Sequence, residues 1–345
     1  MPRGGAHFSS EELVRVLSHY DIGIVEHAKS LTAGNRRAPK IVITAEKGKF
    51  LLKRRPRGND DVSRVAFTHA VLDYLVARSF PVTTLVATRD EKNTILHLDN
   101  HIYEFFCYIQ GSRYDGSLEA TVDTGRRLAE LHRLLKEFDY ESDNVSELFT
   151  SFHDSPAVRE YLQTIGSERM ARLSGRMKAV AEDMTKLYDE SSVRVNRQGY
   201  GDWRKQVIHG DWHPGNMLFS KRRVAAVLDF DSIRIAPPVV DLANAMLQYS
   251  IVGGRPNPAD WPDYFNIDKL VQVLNGYRRL RKLSSHQTNS LPDLMIETMI
   301  AEAVLPIAAT GFFGHLSGLD FLKMIRRKAN WLNDNRDKLM DAIHT

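Results

Sequence analysis

Between Val207 and Phe219 the chain reads V-I-H-G-D-W-H-P-G-N-M-L-F, and eight positions on, from Val227, it reads V-L-D-F-D. Two short apolar strands here enclose a polar loop, and three residues stand at particular spacings: Asp211, Asn216 five positions later, and Asp229 at the end of the next apolar strand. An isolated Asp is more often a turn or cap residue than a base. The three together match a phosphoryl-transfer loop, in which the first Asp accepts the proton of an acceptor hydroxyl and the Asn holds Mg²⁺. The second Asp then stands where the main metal carboxylate belongs. A chain built around such a loop needs a phosphate-cradling lobe before it and an acceptor site around it.

Its 345 residues are enough for two domains or one bilobal unit. With 43% hydrophobic and 26% charged residues the composition is that of a globular protein, not a disordered or membrane-spanning one. The formal charge of +4 is mild and its Lys and Arg are mixed with acids, which argues against a nucleic-acid partner. Cys107 is the only cysteine, so neither an internal disulfide nor a Cys-rich zinc site can form; its setting, F-F-C-Y-I, predicts a buried, inert thiol. The N-terminus lacks the apolar core of a signal peptide, and no window reaches the ~18 apolar residues that span a bilayer. The expectation is a cytoplasmic protein with no membrane partner.

Along the chain, Ser9-Ser10-Glu11-Glu12 has the capping-box form and predicts a helix over about 10–19. Strands are predicted over 22–27, 40–45 and 49–54, the last two joined by a turn at Lys47-Gly48. Helical spacing marks about 62–78, ending before Phe80-Pro81. Strands follow near 83–88, 94–98 and 102–109. Beyond Gly111–Gly116 the pattern turns helical: 117–137, 156–190, a helix starting at Asp241, then 267–283, 290–309 and 318–342. Residues 191–205 read as an exposed connection, and 253–262 as a Pro/Gly surface loop. The fold class is α+β: a small antiparallel sheet with one main helix, then a larger, mostly helical lobe. The boundaries are an N-terminal nucleotide-binding lobe over 1–107, with a hinge at about 104–111, and a helical lobe over 108–345. The second lobe contains the loop 207–219, the metal strand 224–231 and the acceptor-site helices.

Phosphoryl transfer needs phosphates held in place, metal to neutralise charge and an acceptor hydroxyl in line. Asp211 is the candidate base. Asn216 and Asp229 offer the hard oxygens Mg²⁺ prefers. Lys53, ending a first-lobe strand, is placed to meet the α- and β-phosphates of ATP, and the turn at Ala33-Gly34-Asn35 to cover them with backbone N–H groups. The strand around Glu104, Phe105 and Phe106 is the candidate adenine edge. Asp231 is a second metal contact, an acceptor contact or a structural residue. Trp212 either lines the acceptor pocket or packs beside the loop. His209 and His213 brace the loop, and His132 on an apolar helix face is a satisfied core histidine. His209-x-Asp211-x-His213 also has the form of a metallohydrolase site, but the later segments offer only His286, His315 and His344 as further ligands, in unpromising company.

H-G-D-W-H-P-G-N with V-L-D-F-D and V-V-D-L-A resembles the aminoglycoside phosphotransferase, choline kinase and type II homoserine kinase group, which has a bilobal protein-kinase-like fold. The likeness extends over most of the chain: L-L-K at Lys53, F-P-V after the first-lobe helix, Y-E-F-F-C-Y-I-Q-G, and R-R-L-A-E-L-H. It implies that Asp211 is catalytic, that Asn216 and Asp229 bind metal, and that Asp241 is structural. Two departures stand out. The family usually has a Glu in the first-lobe helix to pair with the strand Lys, whereas this chain has His69 near that place and Asp73 a turn on. Asp61 or Asp73 is then expected to hold Lys53, unless the ion pair is absent. The phosphate loop has one Gly and two arginines, Arg36 and Arg37, more simply solvent-facing than phosphate-gripping.

The interval between Asp229 and Asp241 is too short for a phosphorylatable activation loop, and D-F-G and A-P-E are missing. The expectation is therefore an ATP- and Mg²⁺-dependent kinase acting on a hydroxyl of a small molecule: an amino alcohol, sugar, aminoglycoside or homoserine-like acceptor. The alternatives are a bacterial stress-type Ser/Thr protein kinase and a nucleotide-binding regulatory protein with little catalysis.

Overall fold

A computed structural model of the protein describes residues 7–31, 38–56, 60–139, 151–167 and 175–344. The chain divides into two compact units, the first drawn from 1–112, 217–220 and 225–231, the second from 113–216, 221–224 and 232–345.

In the first unit, helix α1 (Ser10–Leu17) starts at the predicted capping box: Ser9 Oγ accepts from the Glu12 N–H, and the Glu12 carboxylate accepts from the Ser9 N–H. Five antiparallel strands follow, β1 (Val25–Leu31), β2 (Lys40–Ala45), β3 (Gly48–Arg54), β4 (Ile95–Leu98) and β5 (His101–Cys107), in the order β1-β2-β3-β5-β4. The strand period of two sorts their side chains. Ile41, Ile43, Ala45, Phe50, Leu52, Tyr103 and Phe105 share a buried cluster with Val16, Tyr20 and Ile22. Lys53 and Glu104 alternate with these apolar residues, so they leave the sheet on its other face, and they stand directly opposite one another in the β3–β5 register. Helix α2 (Val62–Val76) is capped by Asp61, whose carboxylate accepts from the Arg64 N–H.

Residues 83–88 do not form the predicted strand; they touch β5 through a single bridge, Leu85 to Phe106. Cys107 ends β5 and is exposed, not buried: the strand period gives it the face of Tyr103 and Phe105, but it stands at the last position of the strand. Strands β7 (Met217–Ser220) and β8 (Arg223–Val227) form a two-stranded ladder.

The second unit is helical: α3 (Leu118–Leu135), α4 (Pro156–Gly166), α5 (Gly175–Arg197), α6 (Pro238–Ser250), α7 (Ile267–Arg278), α8 (Ser285–Asn289), α9 (Leu291–Thr310), α10 (Gly318–Asp334) and α11 (Arg336–His344). One small ladder joins β6 (Gln206–Ile208) to β9 (Arg234–Ala236). The segment read as an exposed connection from 191 is instead the last two turns of α5, where Ser191, Ser192 and Val195 are buried. Polar residues there face other polar groups inside the unit, which composition alone reads as solvent. Helices α3 and α7 touch backbone to backbone: a Cβ on Gly125 would lie 1.9 Å from the Val273 carbonyl oxygen, and one on Gly276 would lie 2.0 Å from that of Val122. No helix among the described residues is long and apolar enough to cross a membrane.

Candidate functional site

In the second unit the loop after β6 is fixed by one carboxylate. Asp241, in the first turn of α6, accepts the backbone N–H of His209 at 2.7 Å and that of Gly210 at 2.9 Å. Its Oδ2 also lies 3.1 Å from Nε2 of His132 on α3, and His132 Nδ1 lies 2.9 Å from the Tyr277 hydroxyl on α7. Burial alone would push the Asp241 carboxyl up, yet the His132 bond and the two N–H donors hold it below the usual range. Burial depresses His132, which therefore serves as a neutral hydrogen-bonding ring. His132 is thus the satisfied core histidine expected from its helix face.

Gly210 is required within this loop. Its φ is +77°, and a Cβ would stand 2.0 Å from the Ser232 carbonyl oxygen. The turn it permits presents Asp211, whose N–H donates to Nδ1 of His209 at 3.2 Å. Asn216 donates its Nδ2 to the Asp211 carboxylate at 2.9 Å and to the Asp211 carbonyl at 3.1 Å. His213 Nδ1 accepts the Gly215 N–H at 3.0 Å, while its Nε2 lies 3.4 Å from Asp211 Oδ2. Trp212 is fully buried and meets His209 edge-on, packing beside the loop.

The first unit holds the other predicted site residues. Asp229 has φ +60°, in the left-handed region that few non-glycine residues adopt and that Asp and Asn adopt most readily. Lys53 Nζ sits 2.5 Å from Asp231, 3.7 Å from Glu104 and 3.8 Å from Asp229. Arg55 meets Glu104 at 2.8 Å and Asp231 at 2.9 Å. His69, standing where the family's helix Glu was expected, has Nε2 2.9 Å from Glu104 and Nδ1 2.8 Å from the Thr94 hydroxyl. The acid that holds Lys53 is therefore neither Asp61, which caps α2, nor Asp73, which is exposed. It is Asp231 together with Glu104, a strand carboxylate that a helix histidine steadies. Burial would raise the Glu104 carboxyl, but Lys53, His69 and Arg55 reverse this and hold it far below the usual carboxylate range. Burial likewise opposes the charge on Lys53, and Glu104, Asp231 and Asp229 more than restore it.

This arrangement corrects the expected adenine contacts. The Glu104 side chain is committed to Lys53, Arg55 and His69, and Phe105 is stacked in the sheet core against Phe50. The Phe105 carbonyl accepts from the Val86 N–H, the Cys107 N–H donates to Thr84, and the Tyr108 N–H donates to Lys49. The backbone edge beside Glu104, Phe105 and Phe106 is thus already paired, and exposed chain begins at 107–108. Gly34 and Asn35, with Arg36 and Arg37, lie outside the described residues.

Two residues that sequence reading passed over are Arg55 and, as a partner of Glu104, His69. Glu104 carried part of a signal, as a lone acid between apolar neighbours in a strand, but the register that sets it against Lys53 is seen only in the structure.

For a divalent metal, the donor types fit. With Asn216 Nδ2 turned to Asp211, its Oδ1 is the atom left for a cation, and the Asp229 carboxylate is a second hard oxygen donor. Among the described residues no group of three or more His, Cys, Asp and Glu side chains is gathered to bind a metal.

A five-stranded antiparallel sheet unit bearing a buried strand lysine, and a helical unit bearing a pinned Asp–Asn loop, define a protein-kinase-like fold. The model of the phosphotransferase enzyme family matches residues 28–283, and the chain belongs to that family. A homoserine kinase of Methylocella silvestris is 22% identical over 287 residues, covering 83% of this chain and 81% of the relative. Among solved structures, an amicoumacin kinase in complex with AMP-PNP, Ca²⁺ and Ami superimposes with a TM-score of 0.69 at 13% identity, covering 95% of this chain and 94% of that one. A microcompartment-associated aminopropanol kinase does so with a TM-score of 0.68 at 17% identity, covering 96% and 98%. At these identities the structural likeness establishes the fold.

Proposed function

We propose that this phosphotransferase uses ATP and Mg²⁺ to phosphorylate a hydroxyl of a small molecule of the amino alcohol, sugar, aminoglycoside or homoserine-like kind. The observation that carries the reading is the pinned loop, in which Asp241 holds the backbone at His209 and Gly210 while Asn216 fixes the Asp211 carboxylate. A carboxylate oriented in this way can accept a hydroxyl proton as the oxygen attacks the γ-phosphorus and the bond to the β-bridging oxygen breaks.

Lys53 meets the phosphates in this reading. Asn216 and Asp229 hold the metal, which supplies charge neutralisation to the transferring group. The adenine edge is met by backbone at 108–110, downstream of the paired stretch of β5. The short passage from Asp229 through β9 to α6 supports a small acceptor over a polypeptide, because it holds too few residues for an activation segment. The named activities of the homoserine and aminopropanol kinase relatives point the same way.

The test is ADP release across a panel of hydroxylated metabolites, with EDTA as the metal-free arm. Asp211→Ala is expected to lower kcat by roughly 10²–10⁴-fold with little loss of nucleotide binding. Transfer at an undiminished rate in that variant would sink the mechanism.

A further inference from the structure

Lys53 does not face its acids alone. The strand period puts Arg55, just past the end of β3, on the same face as Lys53, and its backbone N–H donates to the Ile102 carbonyl of β5 at 2.8 Å. From there its guanidinium reaches both of the acids that hold the lysine most closely in the first unit. Arg55 Nη2 donates to Glu104 Oε1 and to Asp231 Oδ1, at 2.9 Å in each case, and Nε lies 2.8 Å from Glu104 Oε2. Lys53, Arg55, Glu104, Asp229 and Asp231 all belong to that one unit.

The oxygens of the two acids are divided between the two cations. Asp231 gives Oδ1 to Arg55 at 2.9 Å and Oδ2 to Lys53 at 2.5 Å. Glu104 gives Oε1 to Arg55 and to His69, while its Oε2 lies 2.8 Å from Arg55 and 3.7 Å from Lys53. The two cations differ in how firmly they are fixed. A guanidinium is a planar fork, and this one is anchored to two carboxylates and held behind them by its own backbone bond to β5. An ammonium is a point charge on a flexible four-carbon stem, free to change its direction of donation. Stripping the cation from a buried carboxylate is costly, so a lysine that alone neutralised Glu104 and Asp231 would be hard to draw away. With Arg55 in place, each acid keeps a charged donor when Lys53 turns elsewhere.

We infer that Arg55 is a positioning residue for Lys53: by holding Glu104 and Asp231 itself, it releases the lysine to the phosphates of a nucleotide. This rests on the proposed function, in which Lys53 meets those phosphates, and adds to it the residue that makes the lysine available. Arg55 is 4% exposed and acts through the carboxylates, not on the ligand.

The test compares equilibrium binding of ATP and of adenosine to the full-length enzyme with Mg²⁺ present, because adenosine keeps the base and sugar and lacks the phosphates. The wild type is expected to bind ATP more tightly than adenosine. Arg55→Gln leaves Lys53 to neutralise the acids and is expected to weaken ATP by about tenfold, with adenosine changed by less than about twofold. Arg55→Lys keeps the charge, loses the fork and is expected to weaken ATP by about threefold. The double variant Arg55→Gln/Glu104→Gln removes one of the acids that compete for the lysine, and is expected to recover most of the ATP affinity lost in Arg55→Gln. A merely structural arginine gives the opposite pattern: equal losses of ATP and adenosine, and a double variant worse than either single one. Thermal melting identifies a variant that does not fold, and Arg55→Lys carries the comparison if Arg55→Gln is such a variant. A ratio of ATP to adenosine affinity unchanged in the folded Arg55 variants, or a folded double variant no better than Arg55→Gln, overturns the inference and leaves the proposed kinase standing. A wild type that binds ATP no more tightly than adenosine overturns the role of Lys53 in the proposed function, and the inference with it.

Discussion

Two buried carboxylates anchor the two units, and they are held by opposite means. Glu104 is surrounded by charge: Lys53, Arg55 and a histidine, with Asp231 sharing the cations. Asp241 is held by two backbone N–H groups and a neutral imidazole. Ion pairs among flexible side chains can exchange partners when a polyanion such as ATP arrives, because Lys53 has three acids within 3.8 Å. Backbone donors cannot be exchanged without moving the chain. In the proposed function the first arrangement suits a lysine that turns from protein acids to phosphates, and the second suits a loop whose geometry stays fixed between turnovers.

The comparison breaks most severely at Asp241. Asp241→Ala leaves two buried N–H donors and His132 without their acceptor, and is expected to cost about 3–5 kcal/mol in urea unfolding along with catalytic activity. Retention of both would show that the carboxylate is dispensable to the loop. Glu104→Gln should cost less, about 2 kcal/mol, since Asp231 still pairs with Lys53 and Arg55. Its expected signature is a change in nucleotide KM, whereas an effect on acceptor KM alone would contradict the division drawn above.

A third effect is a pH slope. The Glu302 carboxyl titrates near 8 in the folded protein, above its unfolded value of about 4.5, so the folded state keeps a proton that the unfolded state releases. Its stabilising contribution is complete below about pH 4.5 and is lost as pH rises through 8. Melting temperatures of wild type and Glu302→Gln should therefore separate between pH 5 and 8, with the variant gaining on the wild type, and run parallel above that. Parallel curves across the whole range would remove Glu302 from the protein's titration.

The sequence made the loop legible because Asp211, Asn216 and Asp229 are set by chain spacing, and short spacings survive folding. The sheet's alternation and the capping box at Ser9 were legible for the same reason. The partner of Lys53 was not, because it comes from strand register: Glu104 lies 51 positions away in sequence yet directly across the ladder. Reading Glu104–Phe106 as an adenine edge failed on the same point, since the neighbouring chain at 84–86 occupies that edge through contacts no local pattern announces.

The close approach of α3 and α7 has a consequence beyond packing. Gly125 and Gly276 let the two helix backbones touch, and that separation is what allows the Tyr277 hydroxyl to reach His132, and His132 to reach Asp241. A single added methyl group at either glycine acts as a shim that lengthens the chain of contacts ending at the Asp211 loop. Inactive variants gathered without regard to position would therefore include changes at 125 and 276, where helix meets helix and not in the loop itself.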